Sequence, residues 1–148
     1  MDDARARRTA DYTRAVLRVP ELGLVLRPQA PGQVEGAFPF DDAVHVVTAA
    51  NPGAKRFTAE ENAARQARLE AELDARGLRH WATVAGAEDG SHAEAGALVV
   101  GLDDDGARAL AAAWGQDAVF RWSRAAAWAS RRKRSSNSRS PVISAGTA

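Results

Sequence analysis

The stretch Val44-His45-Val46-Val47-Thr48, followed ten residues later by Thr58-Ala59-Glu60-Glu61, constrains the fold more than any other part of the chain. Four of the five residues in the first run are β-branched, which favours a buried strand. Asn51-Pro52-Gly53 ends that strand. Thr58 and Glu61 have the spacing of a capping box, in which the Thr58 side chain accepts from the third helical amide and Glu61 returns to the Thr58 amide. Ala63, Ala64, Ala67, Leu69 and Leu73 carry the helix forward, and Gly77 closes it.

The rest of the pattern is read outward from this unit. Residues 4–18 are expected to form a first helix, with Ala10, Tyr12, Ala15, Val16 and Leu17 as apolar contacts, ended by Pro20. Leu22–Leu26 reads as a short strand, and Pro28–Asp42, rich in Pro, Gly and Gln, as a connecting loop. Leu78–Val84 and Ala97–Leu102 are predicted strands joined through a hairpin connection at Gly86–Ser91. Asp103 caps a second helix, Ala107–Trp114, which Gly115 closes. Ala118–Trp122 is the last strand, followed by a short alanine-rich helix. From residue 44 to 122 the order is strand, helix, strand, strand, helix, strand. The expected fold class is therefore α+β, a ferredoxin-like βαββαβ core with an antiparallel sheet and an N-terminal helix and strand added. Right-handed crossovers put both helices on one face and make 97–102 antiparallel to 44–49.

At 148 residues the chain suits a single domain, expected over 1–125, with a basic and mostly disordered tail over 126–148. Residues 1–120 hold nineteen acidic and thirteen basic residues, a net charge of −6, whereas the last 28 hold seven basic and no acidic ones. An acidic body repels phosphates, so nucleic acid contact falls to Arg131, Arg132, Lys133 and Arg134 in the tail. Cysteine is absent, which removes disulfides, thiol nucleophiles and cysteine-based metal sites. No run approaches the ~18 apolar residues of a membrane span, and Met1–Arg5 lacks a signal peptide's apolar stretch. The expectation is a cytoplasmic protein without membrane contact or cofactor.

The topology gathers four segments at one end of the sheet: Asn51–Phe57, Glu60–Asn62, Ala85–Glu94 and Gly115–Asp117. They carry Asn51, Lys55, Arg56, Asn62, Asp89, Ser91, His92, Glu94, Gln116 and Asp117 to one rim, beside the free amides of a helix N-terminus. Pro52 restricts the Asn51 backbone toward extended values. Asn62 falls four residues after the Thr58 cap, where asparagine is a poor helix former and needs a local reason. Thr48-Ala49-Ala50-Asn51-Pro52, then Asn62 with Leu69 and Leu73, then Asp89-Gly90-Ser91 with Glu94, then Gly115-Gln116-Asp117-Ala118-Val119-Phe120, together resemble a bacterial family known only as a domain of unknown function. The resemblance spans roughly residues 10–122 and implies no assigned reaction.

Established motifs fit poorly. Asn51–Arg56 lacks the Gly-x4-Gly-Lys-Ser/Thr spacing of a phosphate loop. His92-Ala93-Glu94 has the His-x-Glu of zinc deaminases but no downstream cysteine pair. Asp103-Asp104-Asp105-Gly106 starts like a calcium loop, yet the twelfth position is Trp114, and acidic residues at a helix start already answer the macrodipole. No serine precedes Ser91 and no nucleophile elbow exists. His45 and His80 read as packing residues, and Trp81, Trp114, Trp122 and Trp128 as core rather than base-stacking platforms. No metal site is expected. What remains is a polar site formed by Asn51, Lys55, Arg56, Asn62, His92, Glu94 and Gln116. The leading reading is a non-enzymatic binding or regulatory module for a small polar ligand or protein segment, because amides both donate and accept. The rivals are a small enzyme with Glu94 as general acid/base, and a nucleic-acid-associated protein acting through its tail.

Overall fold

The structure is a computed structural model that describes residues 15–28, 34–116, 118–123 and 142–146. Among these, seven strands make one sheet: β1 (Val16–Val19), β2 (Leu24–Leu26), β3 (Val44–Thr48), β4 (His80–Gly86), β5 (Glu94–Val100), β6 (Val119–Ser123) and β7 (Val142–Gly146). Their order is β2-β1-β4-β5-β3-β6-β7. The first six pair antiparallel, and β7 joins β6 in parallel. Two helices, α1 (Ala59–Ala75) and α2 (Asp104–Ala113), complete a mixed α and β fold. β3 and β5 run antiparallel from Val44↔Val100 to Thr48↔Gly96, as the sequence pattern requires.

Alternation along the strands divides the core in two. His45 and Val47 face one side of β3, Val44 and Val46 the other. On the first side, Val47, Ala49, Ala97, Val99 and Val119 pack against Leu69 and Leu73 of α1 and Ala107, Leu110 and Ala111 of α2. Both helices therefore cover one face. On the second side, Val44, Val46, Leu98, Phe120 and Trp122 join Leu17, Val19, Leu24 and Leu26 from the far end of the sheet, with Phe38 and Phe40 from the intervening loop. Strands at opposite ends share this cluster, so the sheet curls around it. Trp122, with no exposed surface, is its largest member.

β2 begins at Leu24, β4 spans His80–Gly86 rather than 78–84, and α2 begins at Asp104 rather than Ala107; three further differences change what an element is or where the site residues lie. Residues 16–19 form a strand rather than the end of a helix, because pairing to β2 and β4 outweighs local propensity; residues 4–14 lie outside the described part. β5 starts at Glu94, three residues earlier than expected, so Glu94 is a strand residue opposite Ala85 and not part of the hairpin loop. Val142–Gly146, expected within an unstructured tail, pairs from Val119↔Val142 to Ser123↔Gly146, where the edge of β6 offers unpaired backbone groups. The alanine-rich segment after residue 123 and the Arg131–Arg134 cluster lie outside the described residues. No helix among those described is long and apolar enough to cross a membrane.

The two ends of β3 differ in chemistry. At its start, His45 is 1% exposed and its Nε2 lies 2.8 Å from Asp104 Oδ1 at the head of α2. The carboxylate accepts, so Nε2 donates, and Nδ1 is left as a buried acceptor without a partner among the described residues. Arg121 also reaches Asp104, at 3.3 Å. The acidic run at this helix start is thereby accounted for: Asp103 caps Gly106 N–H at 2.7 Å, Asp104 pairs with His45, and Asp105 pairs with Arg108.

Burial pushes the His45 imidazole below its ordinary value of 6.5, against the opposing pull of Asp104. A base with a depressed folded value binds fewer protons folded than unfolded across the window between that value and about 6.5. Its contribution to stability is complete above that window and is lost as pH falls through it. Urea melts at pH 7.5 and 5.5 should therefore show the wild type losing more stability on acidification than His45→Gln, whose amide nitrogen replaces the donor without titrating. Parallel losses in the two proteins would rule out His45 as the source.

Candidate functional site

The other end of β3 leads through Ala49 and Ala50 to Asn51, whose backbone is left-handed (φ 48°, ψ 56°) rather than extended as Pro52 alone would favour. The side chains explain the reversal. Asn51 Oδ1 accepts from Phe57 N–H at 2.8 Å and from Asn62 Nδ2 at 3.0 Å. Asn62 Oδ1 in turn accepts the Asn51 backbone N–H at 2.9 Å. Asparagine tolerates this conformation better than most residues, and here local hydrogen bonds hold it there. The same pairing supplies the local reason for an asparagine in the second turn of α1. Thr58 and Glu61 form both halves of the capping box, at 3.1 and 3.0 Å, so the helix start is fixed relative to the turn.

Glu94 joins from β5. Asn51 Nδ2 donates to Glu94 Oε1 at 2.7 Å, while Oε2 has no hydrogen-bond partner among the described residues. Gln116 is buried beside them and reaches the carbonyl of Ala50 at 3.0 Å. Asn51, Asn62 and Glu94 are thus directly linked, and Gln116 is tied to the backbone immediately before Asn51. Gly115 is held close as well: its carbonyl accepts Gly53 N–H at 2.7 Å. Its φ is 73°, and a Cβ there would lie 2.7 Å from Pro52 Cβ. The Asn-Pro and Gly-Gln pairs of the sequence are therefore two halves of one contact.

The remaining candidates are placed differently. Arg56 and His92 are exposed on the rim, His92 with a positive φ of 54°. Lys55 is exposed outside the cleft wall. Asp89 and Ser91 are engaged with each other, Ser91 Oγ donating to Asp89 Oδ1 at 2.6 Å, which shapes the hairpin tip. Asp117 lies outside the described residues.

Several contributors carried no signal strong enough to be singled out. Arg65 donates to the carbonyls of Ala49 and Trp114, the latter at 2.7 Å, and its guanidinium stacks over the rings of Phe57 and Trp114 at 5.7 and 5.1 Å. Gln66 Nε2 donates to the Gly96 carbonyl at 2.9 Å. Their spacing of three and four residues from Asn62 puts them on the same side of α1, which is the signal the sequence holds for them. Asn51, Asn62, Gln66 and Glu94 line a cleft of about 740 Å³ between α1 and the β4–β5 hairpin. Ala59, Ala63 and Ala67 give it an apolar wall; Asn62, Gln66 and Glu70 of α1 and Arg56, His92 and Glu94 supply polar groups. A second hollow of about 490 Å³ lies on the helix-free face, and Glu94 and His92 line both.

Residues 47–119 match the family described as Protein of unknown function (DUF3293). Over these residues the chain is similar to that family, a domain of unknown function. The DUF3293 match runs from β3 to the first residue of β6, so it contains Asn51, Asn62, Glu94 and Gln116 but neither β1 nor β2. It is narrower than the resemblance, which spans about 10–122. No curated protein and no solved structure matches the chain.

If the Asn51–Asn62 pair holds the turn, Asn62→Ala should lower unfolding free energy by about 1–3 kcal/mol, because it strands the Asn51 N–H and removes one of the two donors to Asn51 Oδ1. Gly115→Ala should cost at least about 1 kcal/mol through its positive φ and the Pro52 contact. Denaturant titration of both variants checks this. A loss below about 0.5 kcal/mol in each would mean the turn is held by something else.

Proposed function

We propose that this chain is a binding module whose ligand, a small polar molecule or a protein segment, is held at the Glu94 end of the sheet. One observation carries the reading. Asn51 and Asn62 are engaged with each other and with the loop, whereas Glu94 uses one carboxylate oxygen to join them and keeps the other beside an open cleft. An acceptor positioned by its neighbours but uncommitted on one side suits recognition of a donor. Arg56 and His92, exposed on the same rim, add a cationic and a titratable contact. The cleft's volume falls within the range of ~300–1,000 Å³ usual for small-ligand sites.

The enzyme reading asks more of the same groups. Glu94 as general acid/base would need Asn51 or His92 to orient the substrate. Asn51 already serves Glu94, Phe57 and Asn62, so turning it toward a substrate would undo the turn. At the level of architecture, the order β4-β5-β3-β6 with both helices on one face supports a ferredoxin-like reading of the core, with β1, β2 and β7 as additions.

The test uses Glu94→Gln, which keeps an acceptor for Asn51 Nδ2 while replacing the second oxygen with a donor and removing the charge. Amide chemical shifts of Asn51, Ala63 and Ala95 would be followed against a panel of free amino acids, nucleoside monophosphates and short peptides. At least one probe should shift these amides in the wild type, and Glu94→Gln should weaken it ten-fold or more. The Tm of the variant should stay within about 4 °C, the shift expected for roughly 1 kcal/mol in a domain of this size. A variant that binds as well as the wild type, or one that unfolds as readily as it loses binding, overturns the reading.

A further inference from the structure

The hollow on the helix-free face has a cause in the sequence. Strand alternation directs Val46 and Thr48 of β3, Ala85 of β4, Glu94 of β5 and Phe120 of β6 toward that face. Between Glu94 and Leu98, β5 contributes no side chain there, because the intervening position is Gly96. Gly96 itself does not line the space: a Cβ there would lie 2.8 Å from the Val47 carbonyl oxygen and 2.9 Å from Thr83 Oγ1, so neighbouring strands already occupy that position. Ala85 and Ala118 at its border are small as well. The result is a space of about 490 Å³ walled mainly by Val46, Ala85, Ala118 and Phe120, with Glu94 at its rim.

We infer that this hollow takes the apolar body of a small amine, whose ammonium group is held by Glu94. The inference rests on the binding reading above and extends it by assigning the ligand's chemistry and the face on which its hydrocarbon part lies. The carboxylate contacts a neutral amide at Oε1, and Oε2 meets no cation or other hydrogen-bond partner among the described residues. A charge bordering an apolar cavity is matched best by a compact cation that brings its own hydrogen-bond donors. An anionic head would meet like charge, and a wholly apolar molecule would leave the carboxylate without a partner.

2-Phenylethylamine is the probe, with 2-phenylethanol and phenylacetate as its neutral and anionic counterparts, titrated into the full chain by calorimetry and amide shifts. Binding of the amine should exceed that of both counterparts at least ten-fold. Ala118→Leu, which fills the hollow, should weaken it ten-fold or more, and by more than Ala63→Leu in the wall of the cleft beside α1 does. Ala85→Val is the second filling variant should Ala118→Leu fail to fold, as judged by amide dispersion and Tm. Failure of the wild type to bind the amine, or equal affinity in both filling variants and the wild type, overturns the inference. If Ala63→Leu abolishes binding while Ala118→Leu does not, the ligand lies wholly in the cleft: this inference fails and the binding reading stands.

Discussion

The left-handed turn at Asn51 is the constraint on which this end of the molecule depends. Its energetic basis is local: one side chain that accepts twice and donates once, and a partner asparagine that closes the ring. Its reach is not local. The turn redirects the chain from the end of β3 to the head of α1, and it presents Ala50 to Gln116 and Pro52 to Gly115. Three distant segments are brought into register by one residue's conformation. An alanine at that position would have neither tolerance for the backbone angles nor the means to secure them.

Around that turn the structure separates two kinds of polar residue. Asn51, Asn62, Gln116 and Arg65 direct their groups at backbone or at one another, in partly or fully buried surroundings, and so set geometry. Glu94, Arg56 and His92 leave polar capacity facing open volume. The opposite end of β3 shows a contrasting economy of design, in which His45, Asp104 and Arg121 are packed against each other behind the cap of α2. Each end therefore has its own polar cluster; among the described residues the cleft of about 740 Å³ adjoins the Asn51 end and a smaller hollow of about 340 Å³ the His45 end.

Much of this was legible in the sequence wherever the signal was local. The Thr58–Glu61 capping box, the Asp103 cap and the β-branched run at Val44–Thr48 are set by neighbouring residues, and they appear as read. β1 was obscured because Arg, Ala and Leu around it favour a helix in isolation, and only pairing with β2 and β4 makes it a strand. The start of β5 was hidden for a related reason: Glu94-Ala95-Gly96-Ala97 has little strand propensity, and its conformation is imposed by strands on both sides. The proximity of Asn51, Asn62 and Glu94 followed from topology. The role of Arg65 did not, since a helical arginine is ordinarily solvent-facing and nothing nearby in sequence marks the carbonyls it reaches.

Gly96 adds a consequence for how such a domain tolerates change. A Cβ at Gly96 would crowd the Val47 carbonyl oxygen and Thr83 Oγ1, so the packing of the neighbouring strands closes that position to substitution. The hollow on the helix-free face is bordered differently: Ala85 and Ala118 stand where a larger side chain would reshape the space. Fixed strand packing beside adjustable walls lets the size and shape of that space change without changing the scaffold.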